Sequence, residues 1–286
     1  MNNKNMSTIL VTGAAGFLGK RLTATLLKRG HSVVGTAHSE SSIREFERIV
    51  PNGVNVPLYA IDVADCYYPI KRIIKDHKVD YVIHSAALKH VGICEKNPTR
   101  AVDVNVIGSK HIMTAALESD VKNIIGISTD KSVNPVCVYG MTKKLMEDMF
   151  LENGLGVFQG VNFLFSTGSV LDIWDKLMKE NKTLLVNTKA NRYFCLIDDV
   201  CDKIADSLNA KNRFTVDSCY LVSIQSLQKA FSKYHGYHNV SIYTPLDVEK
   251  CDEDLPLADI KIVKPDDDFV VELLKDYYNK YKNKTA

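Results

Sequence analysis

Short apolar runs alternate with stretches of helical periodicity along the first two thirds of the chain. Residues 8–12 read TILVT, which is typical of a buried strand, and apolar side chains recur at helical spacing over residues 17–29 before Gly30. The same patterns predict further strands at 32–37, 56–61, 79–84 and 123–128, and further helices at 41–49, 70–76, 101–117 and 139–151. Because parallel strands need a connecting helix between them, this alternation predicts an α/β fold with a doubly wound parallel sheet.

The last third of the chain, beyond about residue 160, has a mixed pattern. It predicts helices at 170–180, 199–208, 224–234 and 269–281, and extended segments at 183–186, 220–224 and 240–243. The stretch 247–268 is acidic and interrupted by proline, which indicates a loop or an exposed surface. We therefore expect a small mixed C-terminal lobe beside the parallel sheet.

The composition excludes several classes of protein. Of the 286 residues, 45% are hydrophobic and 24% are charged, which is ordinary for a globular chain and rules out a disordered one. The net charge of +2 gives no basic field, so we expect no nucleic acid as partner. No apolar run approaches the roughly 20 residues of a membrane span. Seven scattered cysteines and the lack of a signal-peptide pattern lead us to expect reduced thiols and a cytoplasmic location.

A glycine-rich loop, TGAAGFLG at residues 12–19, follows the first strand and opens the first helix. Gly13 permits the tight turn, Gly16 lets a pyrophosphate approach the backbone, and Gly19 lets the helix pack close to the sheet. The free N–H groups of the helix N-terminus can bind the pyrophosphate charge. We expect dinucleotide contacts at Gly13, Ala15, Gly16, Phe17, Leu18 and Gly19; the alternative is a glycine-rich turn without a ligand.

The end of the second strand bears on which dinucleotide binds. An NAD site usually places Asp or Glu there, whereas this chain has His38 and Ser39, with Arg44 close behind. These side chains can bond a 2′-phosphate, so NADP is favoured over NAD; in the alternative, Glu40 serves NAD. Asp62, after the third strand, is expected to meet the adenine amino group or, alternatively, to cap a helix.

Candidate catalytic residues follow the fifth strand. Residues 128–131 read STDK at the carboxyl end of that strand, where open α/β sheets bind their ligands. Tyr139 and Lys143 are four residues apart and share one helix face. A lysine ammonium near a phenol favours the phenolate and lowers its pKa, which makes tyrosine a usable general base. In the alternatives, Asp130 only caps a turn, Lys131 is a solvated loop lysine, and the Tyr139 helix is an ordinary surface helix.

Together with these motifs, the segments HSAALKHV (84–91), ICEKNP (93–98), NVIG (105–108) and ISTDKSVNP (127–135) carry a family resemblance. The chain resembles the extended short-chain dehydrogenase/reductase superfamily, and within it the inverting UDP-N-acetylglucosamine 4,6-dehydratases of the polysaccharide biosynthesis protein family. The pair Asp130–Lys131 is informative, because retaining sugar dehydratases carry Asp-Glu there. The resemblance implies a modified Rossmann fold and a homo-oligomer. It makes residues 1–165 an NADP-binding domain that includes the Tyr139 helix, and 166–286 a substrate lobe interleaved with the last Rossmann elements.

The resemblance also implies a reaction. Tyr139, assisted by Lys143, would take the proton of the sugar 4-hydroxyl while NADP+ accepts the C4 hydride. Lys131 would remove the C5 proton and Asp130 would protonate the departing 6-hydroxyl, before hydride returns to C6. Reprotonation of C5 by Lys131 from the opposite face would invert that carbon. A lysine suits this role if its pKa is low enough to leave some neutral amine.

Further binding residues are carried over from the family. The resemblance implies cofactor contacts at Val63, Ala86, Ala87, Lys89, Asn105, Tyr139 and Lys143. It implies substrate contacts at Lys89, His90, Thr129, Asn162 and Arg192. Asn105 is expected to hold a structural water or a backbone group near the site. No metal is expected, because His235 and His238 have metal-like spacing but no further ligand nearby.

The C-terminal third departs from the family pattern at positions that hold arginines in family members. Residues 159–162 read QGVN in place of Arg-Tyr-Gly-Asn, and 166–170 read STGSV in place of Ser-Arg-Gly-Ser-Val. Arginines are natural clamps for a diphosphate, so substrate binding is expected to be altered. Three hypotheses remain open: an NADP-dependent nucleotide-sugar dehydratase of surface-glycan synthesis, a sugar 4-ketoreductase or 4-epimerase, and a non-catalytic dinucleotide-binding protein.

Overall fold

A computed structural model describes residues 6–47, 55–243 and 260–282, and within them the chain forms two compact units. The first unit contains the described residues up to 160 together with 197–216, and the second contains 161–196 and the described residues from 217 onward. The sequence places a boundary at residue 165 and expects the later part to be interleaved with the last Rossmann elements. The first segment of the first unit ends at 160, and the segment 197–216 also belongs to that unit. The two units are described separately below.

The strands and helices are short and alternate along most of the chain. The strands are β1 (Thr8–Thr12), β2 (Ser32–Ala37), β3 (Leu58–Ala60), β4 (Tyr81–His84), β5 (Asn123–Thr129), β6 (Gly156–Gly160), β7 (Asn162–Phe163), β8 (Leu184–Val186), β9 (Asn191–Cys195), β10 (Arg213–Phe214), β11 (Ser218–Ser223), β12 (Val240–Ile242) and β13 (Lys261–Val263). The helices are α1 (Phe17–Lys28), α2 (Glu40–Glu47), α3 (Tyr67–His77), α4 (Val91–Lys96), α5 (Pro98–Val102), α6 (Gly108–Leu117), α7 (Val138–Glu152), α8 (Val170–Lys179), α9 (Ile197–Asp206), α10 (Ile224–His235) and α11 (Asp267–Tyr277).

The first unit is built on a seven-stranded sheet in the order β3-β2-β1-β4-β5-β6-β10, in which every neighbouring pair is parallel. Helices α3, α6 and α7 bury apolar side chains such as Ile74, Ile112 and Phe150 against one face. Helix α1 packs against β1 and β2 and contacts α9. This arrangement confirms the predicted α/β Rossmann fold. The strand order reverses between β1 and β4, so ligands are expected at the carboxyl ends of these two strands.

The predicted helix 101–117 is interrupted in the structure. It begins earlier as α5, passes through a π-helical turn at Asp103–Ile107, and continues as α6. Such a turn accommodates one extra residue and is frequent at functional sites. Here the turn contains Asn105, which is fully buried.

The second unit contains a mixed four-stranded sheet, β13-β11-β9-β7, and a parallel pair, β12 with β8. Strands β9 and β11 are antiparallel, while β7 and β13 join the sheet in parallel. Helices α8, α10 and α11 enclose a core that includes Trp174, Phe231 and Leu274. The stretch 247–268, predicted as a loop or an exposed surface, lies partly outside the described residues. In the described part, β13 pairs with β11 and is mostly exposed, which agrees with the predicted exposed surface and not with a loop.

Two further properties of the described residues concern membrane-spanning helices and disulfide bonds. No described helix is both long and apolar enough to cross a membrane. The cysteines of the described residues form no disulfide bonds.

Candidate active site at the carboxyl ends of the parallel strands

The glycine-rich loop connects β1 to α1 in a tight turn. Gly13 has φ +69°, and a Cβ there would lie 2.9 Å from the backbone nitrogen of Ala86, in the segment that follows β4. Helix α1 begins after Gly16, and no side chain caps its first turn. Because the first N–H groups of a helix have no intrahelical partner, this N-terminus suits an anion such as a pyrophosphate. Ala15 and Phe17 are partly buried beside exposed Gly16, while Leu18 and Gly19 are buried; their cofactor contacts stay predictions.

The end of β2 presents hydroxyl groups instead of a carboxylate. Ser39 Oγ lies 2.9 Å from both Ser41 Oγ and Ser42 Oγ at the start of α2. Exposed His38 precedes this cluster. Glu40 is mostly exposed and forms a long ion pair of 3.8 Å with Arg44.

Asp62 adopts the capping role that the sequence left as an alternative. Its Oδ1 accepts a 3.0 Å hydrogen bond from the backbone N–H of Ala64 and so caps the short turn that begins at Val63. Its Oδ2 lies 2.6 Å from the guanidinium of Arg100. Burial opposes ionisation, but these two partners lower the pKa of Asp62. The side chain of Val63 lies in the core, and cofactor contacts of both residues stay predictions.

Residues 129–132, which we call the Asp130 turn, follow β5 directly. The Thr129 hydroxyl donates a 2.7 Å hydrogen bond to Asp130 Oδ1, and Lys131 Nζ lies 3.3 Å from the same oxygen. Asp130 is buried, whereas the Lys131 side chain is 29% exposed. The cap of this turn is Thr129, which accepts from the Lys131 N–H, so the alternative in which Asp130 is only a cap is wrong.

Helix α7 brings Tyr139 and Lys143 to this turn. Its first helical turn approaches the Asp130 turn so closely that a Cβ at Gly140 would lie 2.2 Å from the Lys131 carbonyl oxygen. Cys137 caps the helix by accepting from the Gly140 N–H at 3.4 Å. Only glycine fits at residue 140, and it places the Tyr139 phenol beside Thr129, Asp130 and Lys131, which all affect its ionisation.

The pKa of Tyr139 corrects one sequence-based expectation. Burial raises the pKa of the phenol to about 12; Lys131 lowers it, Asp130 raises it, and a hydrogen bond with Thr129 lowers it. Lys143 is not among these causes, and the net shift of the Tyr139 pKa is opposite to the expected lowering, because loss of solvation outweighs the nearby charges. Burial also lowers the pKa of Lys143 to about 8, and Glu147 raises it in part.

Asn105 holds a backbone group, which is one of the two roles expected from the sequence. Its side-chain amide exchanges two hydrogen bonds with the backbone of Leu88, at 2.8 and 3.0 Å. Its Nδ2 also donates to Thr142 Oγ1 on α7 at 3.0 Å. The π-helical turn thereby ties the segment after β4 to the Tyr139 helix. Exposed Lys89 and His90 follow Leu88 on this segment, after Ala86 and Ala87, and their binding roles stay predictions.

His84 is a buried residue for which the sequence predicts no role of its own beyond its place in the segment HSAALKHV. Its Nδ1 lies 2.7 Å from Thr12 Oγ1, and its Nε2 lies 2.9 Å from Ser109 Oγ. The Ser109 hydroxyl donates to the Asn105 carbonyl at 2.7 Å, so it must accept from His84 Nε2–H, which leaves Nδ1 to accept from Thr12. Burial, with the Lys143 charge, lowers the pKa of His84 to about 3, so this ring is neutral and links the glycine-rich loop to Asn105.

The predicted substrate residues Asn162 and Arg192 lie in the second unit. Asn162 on β7 donates a 3.0 Å hydrogen bond to the Tyr193 carbonyl, and Arg192 on β9 donates to the Asn191 carbonyl at 2.9 Å. Their contacts with substrate stay predictions. In the first unit, Gln159 stands where family members carry arginine, and it is buried with its amide donating to Ser132 and Glu147. No group of three or more potential metal ligands comes together in the part of the chain that the structure describes.

Comparison with known proteins identifies curated relatives of this site and chain. A protein described as an uncharacterized membrane protein, from Methanocaldococcus jannaschii, is 34% identical over 75% of this chain and 63% of its own length. A UDP-N-acetylglucosamine 4,6-dehydratase (inverting) from Campylobacter jejuni is 31% identical over 68% of this chain and 61% of its own length. A UDP-glucose 4-epimerase from Rickettsia conorii is also 31% identical, over 68% of this chain and 60% of its own length. The chain thus spans less than two thirds of the length of these relatives.

Solved structures share the fold. A dTDP-glucose 4,6-dehydratase from Streptomyces venezuelae, solved with NAD, superimposes with a TM-score of 0.81 over 96% of this chain and 98% of its own, at 17% identity. At that identity the likeness establishes the fold alone. The sequence pattern of the polysaccharide biosynthesis protein family matches residues 9–254, most of the chain. The chain therefore belongs to the polysaccharide biosynthesis protein family.

Proposed function

We propose that this protein is an NADP-dependent nucleotide-sugar 4,6-dehydratase that acts on a UDP-N-acetylglucosamine-like substrate in surface-glycan biosynthesis. The observation that carries the proposal is the Asp130–Lys131 pair on one turn beside Tyr139. Oxidation or reduction at C4 needs only Tyr139 and Lys143. Elimination of water also needs a base for C5 and an acid for the 6-hydroxyl, and this pair can supply both.

The residues of the first unit fit a nicotinamide dinucleotide. The uncapped N-terminus of α1 would bind the pyrophosphate, and the hydroxyl cluster of Ser39, Ser41 and Ser42 favours the 2′-phosphate of NADP over the ribose hydroxyl of NAD. When bound, the cofactor supplies the hydride acceptor for C4 and returns the hydride to C6. Tyr139 and Lys143 would contact it from α7. The related fold solved with NAD supports this class of cofactor.

The proton transfers of the Asp130–Lys131 pair would balance the elimination of water. One proton transferred from Lys131 Nζ to Asp130 across the 3.3 Å contact gives a neutral amine and a neutral acid. The amine then removes the C5 proton, the electron pair of that bond forms the C5–C6 double bond, and the 6-hydroxyl leaves as water with the Asp130 proton. The pair returns to ammonium and carboxylate, and the ammonium can give a proton back to C5, on the same face or on the opposite face with inversion.

Tyr139 would start the reaction by accepting the proton of the 4-hydroxyl. Its raised pKa means that the phenol is protonated at neutral pH in the free protein, so it would first pass its own proton to the neutral form of Lys143, whose pKa burial lowers to about 8. Lys131 and the hydrogen bond with Thr129 favour its phenolate. These residues would therefore act both on the proton transfer at C4 and on the elimination of water. Thr129 would also hydrogen-bond the sugar oxygen at C4.

A 4-epimerase or 4-ketoreductase is the second candidate, because the Rickettsia conorii relative carries the epimerase name at the same identity as the dehydratase. It would need Tyr139 and Lys143 but not Asp130 and Lys131. A non-catalytic dinucleotide-binding protein is the third candidate, which the missing family arginines favour.

A product assay in deuterated water tests the proposal. Protein and NADP+ are incubated with UDP-N-acetylglucosamine, and the product is read by NMR and mass spectrometry. Loss of one water with deuterium at C5 is expected, and the C5 coupling reports inversion or retention. The control is Lys144→Met. Lys144 lies next to the site on α7, but its side chain is partly exposed and pairs with Asp148, so we expect this variant to keep the activity. Conversion at C4 without loss of water would establish the second candidate instead, and cofactor binding without turnover of any nucleotide sugar would establish the third.

We also propose that the protein forms a homo-oligomer, through the outward face of α7. Met141 and Leu145 lie one turn apart on this helix and are 49% and 52% exposed, in contrast to the buried face that carries Lys143. A second copy of the chain would cover these side chains. The expected cytoplasmic location stays a prediction from the cysteine pattern.

A further inference from the structure

Glu147 extends the Tyr139–Lys143 face of α7 by one more turn and is 1% exposed. Its Oε1 accepts hydrogen bonds from Ser128 Oγ at 2.5 Å and from Gln159 Nε2 at 3.1 Å, and it also contacts Ser132 Oγ. Its Oε2 accepts from Arg213 at 3.1 and 2.8 Å. The two oxygens thus have separate partners: one faces the Asp130 turn and the other faces a cation.

The partners of Oε1 enclose the Asp130 turn. Ser128 is the residue before Thr129, and Ser132 is the last residue of the turn. Ser132 Oγ also lies 2.6 Å from the Thr129 carbonyl oxygen, so its one hydroxyl proton is shared between the backbone of the turn and Glu147 on α7. Gln159 on β6 closes the group from the neighbouring strand. One carboxylate oxygen on α7 therefore fixes both ends of the segment that carries Asp130 and Lys131.

The partner of Oε2 is a cation, Arg213. A buried carboxylate is costly unless an opposite charge and hydrogen bonds compensate it, and the paired bonds from Arg213 on β10 provide both. Lys143 lies one helical turn before Glu147 on the same face. Glu147 raises the pKa of Lys143 against the opposing effect of burial, so it helps Lys143 to stay an ammonium.

We infer that Glu147 is a positioning residue, which fastens the Asp130 turn to the helix that carries Tyr139 and Lys143 and so fixes the distance between the two pairs of reacting side chains. The inference rests on the proposed function for its catalytic meaning. It makes Glu147 and Arg213 necessary for turnover although neither would touch the substrate.

The first test compares Glu147→Gln with Asp148→Asn, its neighbour on the exposed side of α7, whose carboxylate pairs only with Lys144 among the contacts described. Glu147→Gln retains an oxygen for the serine hydroxyls but loses the charge and the Arg213 bonds. We expect its kcat to fall about 10- to 100-fold with KM nearly unchanged, the effect of a small misplacement of reacting groups. Asp148→Asn is expected to keep both constants. Equal kinetic constants for Glu147→Gln and the wild type would overturn the inference.

The pH profile separates positioning from a merely structural role. The ionisable groups that interact with Lys143 are His84 on β4, which is neutral, and Glu147 on α7. Loss of the Glu147 charge lowers the pKa of Lys143, so the alkaline limb of kcat should move to lower pH in Glu147→Gln. A variant that is only less stable would keep the position of this limb, and that result would contradict the inference.

A measurement without turnover keeps the inference testable if the proposed function fails. Amide hydrogen exchange of the peptide 128–135 is compared in the wild type, Glu147→Gln and Asp148→Asn. Faster exchange in Glu147→Gln alone supports the positioning of the turn; equal exchange in the three proteins refutes it, whatever the substrate is. If Glu147→Gln does not fold, the double variant Glu147→Gln with Arg213→Gln removes both charges of the pair and is measured in the same way.

Discussion

Buried ionisable side chains serve different ends in the two units. In the first unit, Asp130, Lys143, Glu147 and neutral His84 are buried together near the carboxyl ends of the parallel strands. Among the described residues of the second unit, the buried carboxylate is that of Asp175, which lies in a cluster of aromatic rings. The Tyr278 hydroxyl donates to Asp175, and His235 Nε2 lies 3.9 Å from it.

The buried carboxylates of Glu147 and Asp175 have different partners, and this difference explains the contrast between the two units. Glu147 is paired with a full cation, Arg213, and it raises the pKa of Lys143. Asp175 is compensated by a hydroxyl and by a histidine whose pKa is lowered by burial, although Asp175 raises it. Burial and Asp175 together raise the pKa of Tyr278. A carboxylate held by a hydroxyl and packed between rings stabilises a fold, whereas one held by a cation beside a lysine can tune a reaction.

The largest effect is expected at the Asp130 turn. Asp130→Asn removes the acid that the 6-hydroxyl requires, so turnover should fall about 10³-fold or more. The fold should persist, because asparagine can still accept from Thr129. Turnover by the product assay and the melting temperature are measured together. A variant that unfolds but keeps the specific activity of its folded fraction would erase the contrast between the units.

The opposite pattern is expected for Asp175 in the second unit. Asp175→Ala leaves the Tyr278 hydroxyl without its acceptor and opens space among the rings, so the free energy of unfolding should fall by about 3 kcal/mol. The kcat of the folded protein should be unchanged. Denaturant titration checks the first point, and Glu180→Ala, an exposed residue paired with Lys182, is the control, for which little change in stability is expected. Loss of kcat in Asp175→Ala at full folding would show that this cluster also serves the reaction.

Sequence patterns were sufficient for the parallel sheet and for much of the site. Strands β1 and β2 have the predicted bounds, and β4 and β5 lie within two residues of theirs, because buried parallel strands give continuous apolar runs. The proximity of Asp130, Lys131 and Tyr139 also followed, since each lies just after β5 or at the start of the next helix. These inferences use only neighbours along the chain and the rule that parallel strands end at one edge.

The remaining features depend on contacts that are remote in sequence. Glu147 and Arg213 are 66 residues apart, and Arg213 belongs to a strand of only two residues. No local pattern could pair them. The direction of the Tyr139 pKa depends on burial, which spacing alone does not give. The π-helical turn around Asn105 also escaped, because its apolar pattern is the same as that of a continuous helix.

His84 gives a smaller effect that depends on pH. Its pKa is about 3 in the folded protein and ordinarily 6.5, so between these values the unfolded chain binds more protons, and stability decreases as the pH falls from 6.5 towards 3. The expected contribution is about 1.4 kcal/mol for each pH unit in that window. Denaturant titrations of the wild type and His84→Gln at pH 7, 6 and 5 isolate it. Parallel pH dependences in the two proteins would show that the ring is protonated or solvated in the folded state.

The smallest effect on the fold is expected on the outer face of α7. Met141→Glu with Leu145→Glu should change the free energy of unfolding by no more than about 0.5 kcal/mol, because both side chains are half-exposed. If a second copy covers this face, the double variant should be monomeric in light scattering while the wild type is an oligomer. A monomeric wild type would refute the proposed homo-oligomer, and α7 would then present its functional residues on the inner face only.

The return of the chain to the first unit has a consequence for synthesis on the ribosome. Strand β10 and Arg213 follow the first segment of the second unit, so they are made last among the sheet residues of the first unit. At ordinary elongation rates, Arg213 is added about 3 to 13 s after Glu147, which lies 66 residues earlier. During that interval β6 lacks its outer neighbour and Glu147 lacks its cation, so a nascent chain of this length exposes an unpaired strand edge that a chaperone or a neighbouring chain can bind.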